Sequence, residues 1–105
     1  MSGITEAELR LLQRRWLHSH EEDTETQSVY RPDSFAFPLA RGRSGFEFRT
    51  HGKCVEIGIA PTDRGLDVEA TWRTDGRSVL ISLPTGEDRN LQIVSVDQDC
   101  LIIRE

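Results

Sequence analysis

Between residues 46 and 104 apolar side chains recur at every second position, and that rhythm restricts the fold more than any other feature. Phe46 and Phe48 alternate with Glu47 and Arg49, and Val55, Ile57 and Ile59 alternate with Cys54, Glu56 and Gly58. Leu66, Val68, Ala70 and Trp72 stand opposite Asp67, Glu69, Thr71 and Arg73. Such a period belongs to β-strands with one dry and one wet face, because successive side chains leave a strand on opposite sides. Three further runs follow, Val79 to Leu83, Leu91 to Val96 and Leu101 to Arg104. In these Leu80, Val94 and Ile102 add apolar groups on the second face.

The connections between the runs are short and rich in residues that tolerate positive φ: His51-Gly52, Asp63 to Gly65, Asp75-Gly76, Pro84 to Asp88, and Asp97 to Asp99. Strands joined this way pair with their neighbours as a meander. Parallel crossovers would need helices, and no helical pattern follows Trp16. With residues 15–22 and 27–31 included, eight strands are expected. A meander of eight either closes or leaves two exposed edges, and closure removes that hazard. The expected fold is therefore mainly β: one antiparallel up-and-down barrel of about eight strands, closed or nearly so, over residues 1–105. The segment from Pro32 to Gly45 is the one long connection, about twice a typical loop.

One short helix precedes the strands. Thr5 and Glu8 have the spacing of a capping box, in which each side chain satisfies an otherwise unpaired backbone N–H. Ile4 and Leu9 occupy the positions of a hydrophobic staple, and Leu9, Leu12 and Trp16 form one apolar stripe. A stripe about two turns long must lean on something larger to persist.

Bulk properties exclude some functions. The net charge is −5, and the basic residues are scattered among acids, so nucleic acid is not an expected partner. Met1 to Arg15 holds no apolar run that would serve as a signal or membrane span, which makes a cytoplasmic, soluble domain the expectation. Cys54 and Cys100 are far apart and lack a Cys-x-x-Cys partner. Packed thiols are the expected reading, a disulfide the alternative.

The helix followed by a strand carrying Trp16 resembles the lipocalin and fatty-acid-binding group of up-and-down barrels. In that group a Gly-x-Trp motif places a Trp as a plug at one barrel end; here Arg14 stands at the Gly position. The stretches Gly45-Phe46-Glu47-Phe48, Ala70 to Gly76 and Leu101 to Arg104 resemble those of short bacterial lipocalin-like domains. The resemblance implies a barrel that binds small apolar or amphipathic molecules. It also implies an Arg from the last strand over the plug Trp, with Arg104 the candidate, although strand parity turns Arg104 outward. Fold analogy constrains function only loosely.

The densest polar cluster is His18-Ser19-His20-Glu21-Glu22-Asp23. On a strand, Trp16, His18, His20 and Glu22 share one face, so an inward Trp16 brings the imidazoles and a carboxylate inward with it. Buried without partners they would cost roughly 2–7 kcal/mol each, so they would require a ligand, water or one another. The competing reading is a solvated strand end. Two His at this spacing also suit a metal, but no third His lies nearby, and His51 belongs to a turn. In the long connection Phe35, Phe37 and Leu39 alternate ahead of Arg41 and Arg43. They suit either a lid with arginines at its rim or an arm that completes the core. Tyr30 with Arg31 forms a pair that can anchor a carboxylate.

No nucleophile motif, phosphate loop or paired catalytic carboxylate is present, and no cofactor is implied. Asp67 and Glu69 lie on the face opposite Trp72, expected to meet solvent. The leading expectation is a non-enzymatic protein holding a small, partly apolar ligand in the barrel. Its site would draw on Trp16, His18, His20, Glu22, Tyr30, Phe37, Arg41, Arg43, Phe48 and Trp72. The alternative is an interaction or structural module with a filled core that dimerises or binds a protein, motivated by Leu80, Val94 and Ile102.

Overall fold

A computed structural model describes residues 3–38, 43–59 and 65–104. The capping box forms: the Glu8 N–H donates to Thr5 Oγ1 and the Thr5 N–H to Glu8 Oε1, each at 3.1 Å. It starts helix α1 (Glu6–Leu12), which is only seven residues long. A helix this short needs outside support. Leu12 is fully buried, with Ile4 and Leu9 packed against the same core. Arg77 grips the Glu8 carboxylate with two hydrogen bonds of 2.9 and 3.0 Å and also donates to the Gly3 and Ile93 carbonyls. The helix is thereby pinned across one barrel end.

The strands are β1 (Arg15–His18), β2 (Ser28–Pro32), β3 (Gly45–Phe48), β4 (Lys53–Ile59), β5 (Gly65–Asp75), β6 (Ser78–Ser82), β7 (Asp88–Val96) and β8 (Leu101–Arg104). These eight antiparallel strands close into a barrel, as the alternation and turns imply. Strands β3 to β8 pair in sequence order. The first hairpin departs from the expected meander: β1 lies between β2 and β3, and β2 pairs with β8. Both β2 and β3 are antiparallel to β1, so they run in the same direction. The chain leaving β2 must return the length of the barrel before entering β3, and this explains the long connection.

The β3–β4 turn is tight. His51 adopts φ 61°, a left-handed value uncommon outside glycine, and Gly52 follows at φ 72°. Among the described residues no helix is long and apolar enough to cross a membrane.

Register assigns the faces. Trp16 stands opposite Pro32 and Phe46, which share its interior face. The expectation that β4 turns its apolar side inward is corrected, since Phe48 pairs with Cys54 and Phe46 with Glu56. Cys54 and Ala70 form a row of small residues beside Phe48, and that leaves room for the Trp72 ring, 5.1 Å from the Phe48 ring centre. A larger side chain at position 54 would compete for this space. Val55 and Ile57 therefore face outward; they are buried, yet lie outside the main core cluster. The uneven alternation of β7 has a simple cause. A bulge between Ile93 and Ser95 inserts a residue, so that Leu91, Ile93 and Val96 all reach the core while Val94 is exposed.

Candidate functional site

At the helix end the barrel holds three buried aromatic side chains. Trp16 is fully buried beneath α1, and its Nε1–H donates to the Leu12 carbonyl at 3.1 Å. Phe48 and Trp72 pack against each other, and Trp72 Nε1–H donates to the Arg49 carbonyl at 2.9 Å. These three expected ligand contacts are core and structural contacts. Trp72 borders a groove of about 380 Å³ beside Leu9 and His51, and Phe48 borders one of about 550 Å³ beside Arg14 and Asp33. The arginine over the Trp16 ring is Arg14, at 5.3 Å, while Arg104 is exposed, so the expected role of Arg104 is corrected. Arg14 is the residue that replaces the motif glycine.

The opposite end is a polar mouth. By register, His18 and Tyr30 of the first hairpin face inward together, and their rings stack at 5.0 Å. Tyr30 in turn meets Phe46 at 5.6 Å. Glu56 of β4 and Arg89 of β7 occupy inward register positions, opposite Phe46 and Ile81, and pair at 2.9 Å, with Arg89 still exposed. Tyr30, Phe46, Glu56 and Arg89 line a concavity of about 160 Å³. That is well below the roughly 300–1,000 Å³ of ordinary ligand pockets. His18 Nε2 lies 2.8 Å from Asp23 Oδ2. Sequence reasoning missed Glu56 and Arg89, because the alternation of β4 suggested that Glu56 faces water.

His20 and Glu22 do not join His18. Strand β1 stops at His18, where buried Ser19 donates its N–H to the Val29 carbonyl and its hydroxyl to Glu22. His20–Glu22 then forms a single 3₁₀ turn on the exterior. The inward parity expected of His20 and Glu22 is lost at that turn. The His18 and His20 rings stand 6.1 Å apart, edge to face, and no group of three potential metal ligands converges among the described residues.

The arginines of the first hairpin and the long connection hold the chain to itself. Arg43 donates to both Glu21 carboxylate oxygens, at 2.9 and 2.7 Å, and to the His18 and Pro38 carbonyls, while its guanidinium covers Phe37 at 4.4 Å. Its side chain is only 7% exposed. Four donated hydrogen bonds leave little of its fork for a ligand, so the expected rim role of Arg43 and lid role of Phe37 become a structural clamp. Arg31 likewise grips Glu22 and the Asp99 carbonyl and covers Phe35. Tyr30 faces in and Arg31 out, as neighbours on a strand must, and the pair does not converge on one carboxylate. Arg41, also expected in the site, lies outside the described residues.

These clamps respond to acid. Hydrogen bonds from Arg43 hold the Glu21 carboxyl at about 2, those from Arg31 and Ser19 hold Glu22 at about 2, and those from Arg77 and Thr5 hold Glu8 at about 2, against an ordinary 4.5. A carboxyl whose pKa is depressed by folding adds stability that is complete above 4.5 and is lost as pH falls toward 2. The melting temperature is expected to fall through that window, and Glu22→Gln should flatten part of the fall.

The cysteines offer no reactive thiolate. Both are free, and burial pushes the Cys54 thiol up to about 12 and raises Cys100 as well. The largest concavity among those described is elsewhere, a cleft of about 560 Å³ on the flank of the barrel. Lys53 and Val55 of β4, Glu69 and Thr71 of β5, and Ser82 of β6 contribute from the outer face, and Leu83 and Pro84 close one side. The cleft lies where β5 outruns its neighbour: β6 pairs with residues 71–75 of β5, whereas β4 pairs with residues 65–71. Among the described strands, residues 65–70 are paired on one side only. No family model matches the chain, and no curated protein or solved structure matches it.

Proposed function

We propose that this domain is a non-enzymatic interaction module: a filled barrel that displays the free edge of β5 to an extended segment of a partner protein. The observation that carries this reading is the six-residue overhang of β5 bordering the 560 Å³ cleft. A strand edge presents unpaired backbone N–H and C=O groups, and an added strand satisfies them while its side chains alternate between the two faces. The core cluster that holds Trp16, Phe48 and Trp72 supplies rigidity. The test is an amide-resolved NMR titration with the neutral peptide acetyl-Ser-Val-Ser-Val-Ser-Val-amide. Shift changes confined to residues 65–71 and to Ser82 and Leu83 are expected; changes elsewhere, or none, reject the reading.

A second reading keeps the lipocalin-like expectation but moves the ligand from the barrel axis to the mouth. It is favoured by the aromatic wall of Tyr30 and Phe46 facing the Glu56–Arg89 pair across about 160 Å³, space for a molecule near the size of one ring. Benzoate in the same titration should then move the Tyr30 and Phe46 signals saturably. Spectra unchanged at millimolar benzoate would retire it.

A further inference from the structure

Side chains on an open edge select the strand that joins it, because residues directly opposite on one face lie close enough to attract or repel. On the overhang, Asp67 and Glu69 are exposed on the outer face, and Val68 and Ala70 lie half-buried on the inner face. The next outer position, Thr71, is already flanked by Lys53 on one side and Ser82 on the other, and the open edge ends there. The open edge therefore carries two successive carboxylates on its outer face.

A second copy of this chain is a poor match. Antiparallel addition of its own β5 centred on Val68 sets Asp67 against Glu69. A shift of two residues to either side sets Asp67 against Asp67, or Glu69 against Glu69. Each of these registers, which keep outer face beside outer face, places like charges opposite each other, and the chain carries a net charge of −5 besides. Natural edges use charge in this way to block self-association.

Resting on the edge reading above, we infer that the partner is an extended segment of another protein with basic residues at two successive outward positions and small apolar residues between them. The basic side chains meet Asp67 and Glu69, and the apolar ones cover Val68 and Ala70. The added strand is antiparallel to β5, as every neighbouring pair in the barrel is.

The test compares acetyl-Ser-Val-Lys-Val-Lys-Val-amide with the neutral peptide and with its Glu counterpart, each titrated into the full chain. The Lys peptide is expected to bind about fivefold tighter than the neutral one, from two cross-strand charge pairs, and the Glu peptide more weakly than either. The advantage should shrink with added salt, since these charges are exposed. In the doubly substituted Asp67→Lys, Glu69→Lys chain the order should reverse. Equal binding of all three peptides at the β5 edge overturns the charge inference and leaves the edge reading standing. Failure of every peptide to shift residues 65–71 overturns both. Both substitutions lie at exposed positions, so unchanged thermal unfolding confirms that the fold is intact. A dimer that forms through β5 at millimolar protein concentration would also overturn the inference.

Discussion

Replacing Trp16 with alanine should lower the unfolding free energy by about 4 kcal/mol, a large share of the roughly 5–15 kcal/mol that holds a domain of this size together. The indole is fully buried and joins three parts of the structure. Its ring belongs to the core cluster, its Nε1–H is bonded to the Leu12 carbonyl, and Arg14 covers it at 5.3 Å. Removing it empties the space beneath a helix too short to stand alone, and leaves a carbonyl of the last helical turn without that donor. Trp16→Phe keeps most of the apolar volume and loses the donor, so it should cost about 1–2 kcal/mol. Urea unfolding measures both. A loss below about 1 kcal/mol for alanine would mean that this end of the barrel rearranges to fill the space, and that the helix is not supported in the way described.

The barrel from β3 to β8 was legible because its signals are local. Alternating residues such as those from Leu66 to Arg73 set each strand, and Asp75-Gly76 or His51-Gly52 set where it must turn. The place of β1 was not legible, because pairing with both β2 and β3 is a long-range choice that neither sequence announces. The one hint was the length of the connection, which must travel back along the barrel. The parity of β4 misled for a related reason. Val55 and Ile57 read as an inward face, but register is decided by the partner strand, and Phe46 and Phe48 on β3 bring Glu56 and Cys54 inside.

The candidate site was less legible than the fold. His18 and Tyr30 were expected near a ligand and do meet at the barrel mouth, yet His20 and Glu22 were assigned by extending β1 beyond its end. The Ser19 contacts that stop the strand depend on Val29 and Glu22, and the Val29 contact forms only once β2 has paired. Arg43 was read as a free cation because its partner, Glu21, lies 22 residues earlier. The overhang of β5 did leave a trace. Alternation continues from Leu66 to Arg73, whereas the following run from Val79 to Leu83 is much shorter, and a long strand beside a short one must end with an unpaired edge. The acids that guard that edge, Asp67 and Glu69, looked like an ordinary wet face until the missing neighbour gave them something to select.

Gly45→Ala should cost about 3 kcal/mol or more, for a reason visible only in the assembled barrel. A Cβ built on Gly45 would sit 2.0 Å from the Trp16 carbonyl oxygen and 3.0 Å from the Leu17 Cα. Both obstacles are backbone, so no side chain can swing aside. Relief requires β3 to move away from β1, and that seam has only three residue pairs: Arg15 with Glu47, Trp16 with Phe46, and Leu17 with Gly45. The Trp16 pair would be strained by the same movement, which couples this substitution to the core beneath α1. Gly76→Asn is the matched control. Gly76 has φ 60° and nothing within 4 Å of an added Cβ, and asparagine tolerates that conformation, so its cost should stay below about 1 kcal/mol. Equal losses for the two substitutions in urea unfolding would show that β1 and β3 are not in close contact. The first hairpin would then not lie between β3 and β8, and the barrel would not be closed there. A loss confined to Gly45→Ala, with faster amide exchange at Trp16, Leu17 and Phe46, is the expected result. The overhang of β5 borders β4 and β6, away from that seam, so peptide binding at the edge should outlast the damage in whatever fraction of the protein remains folded.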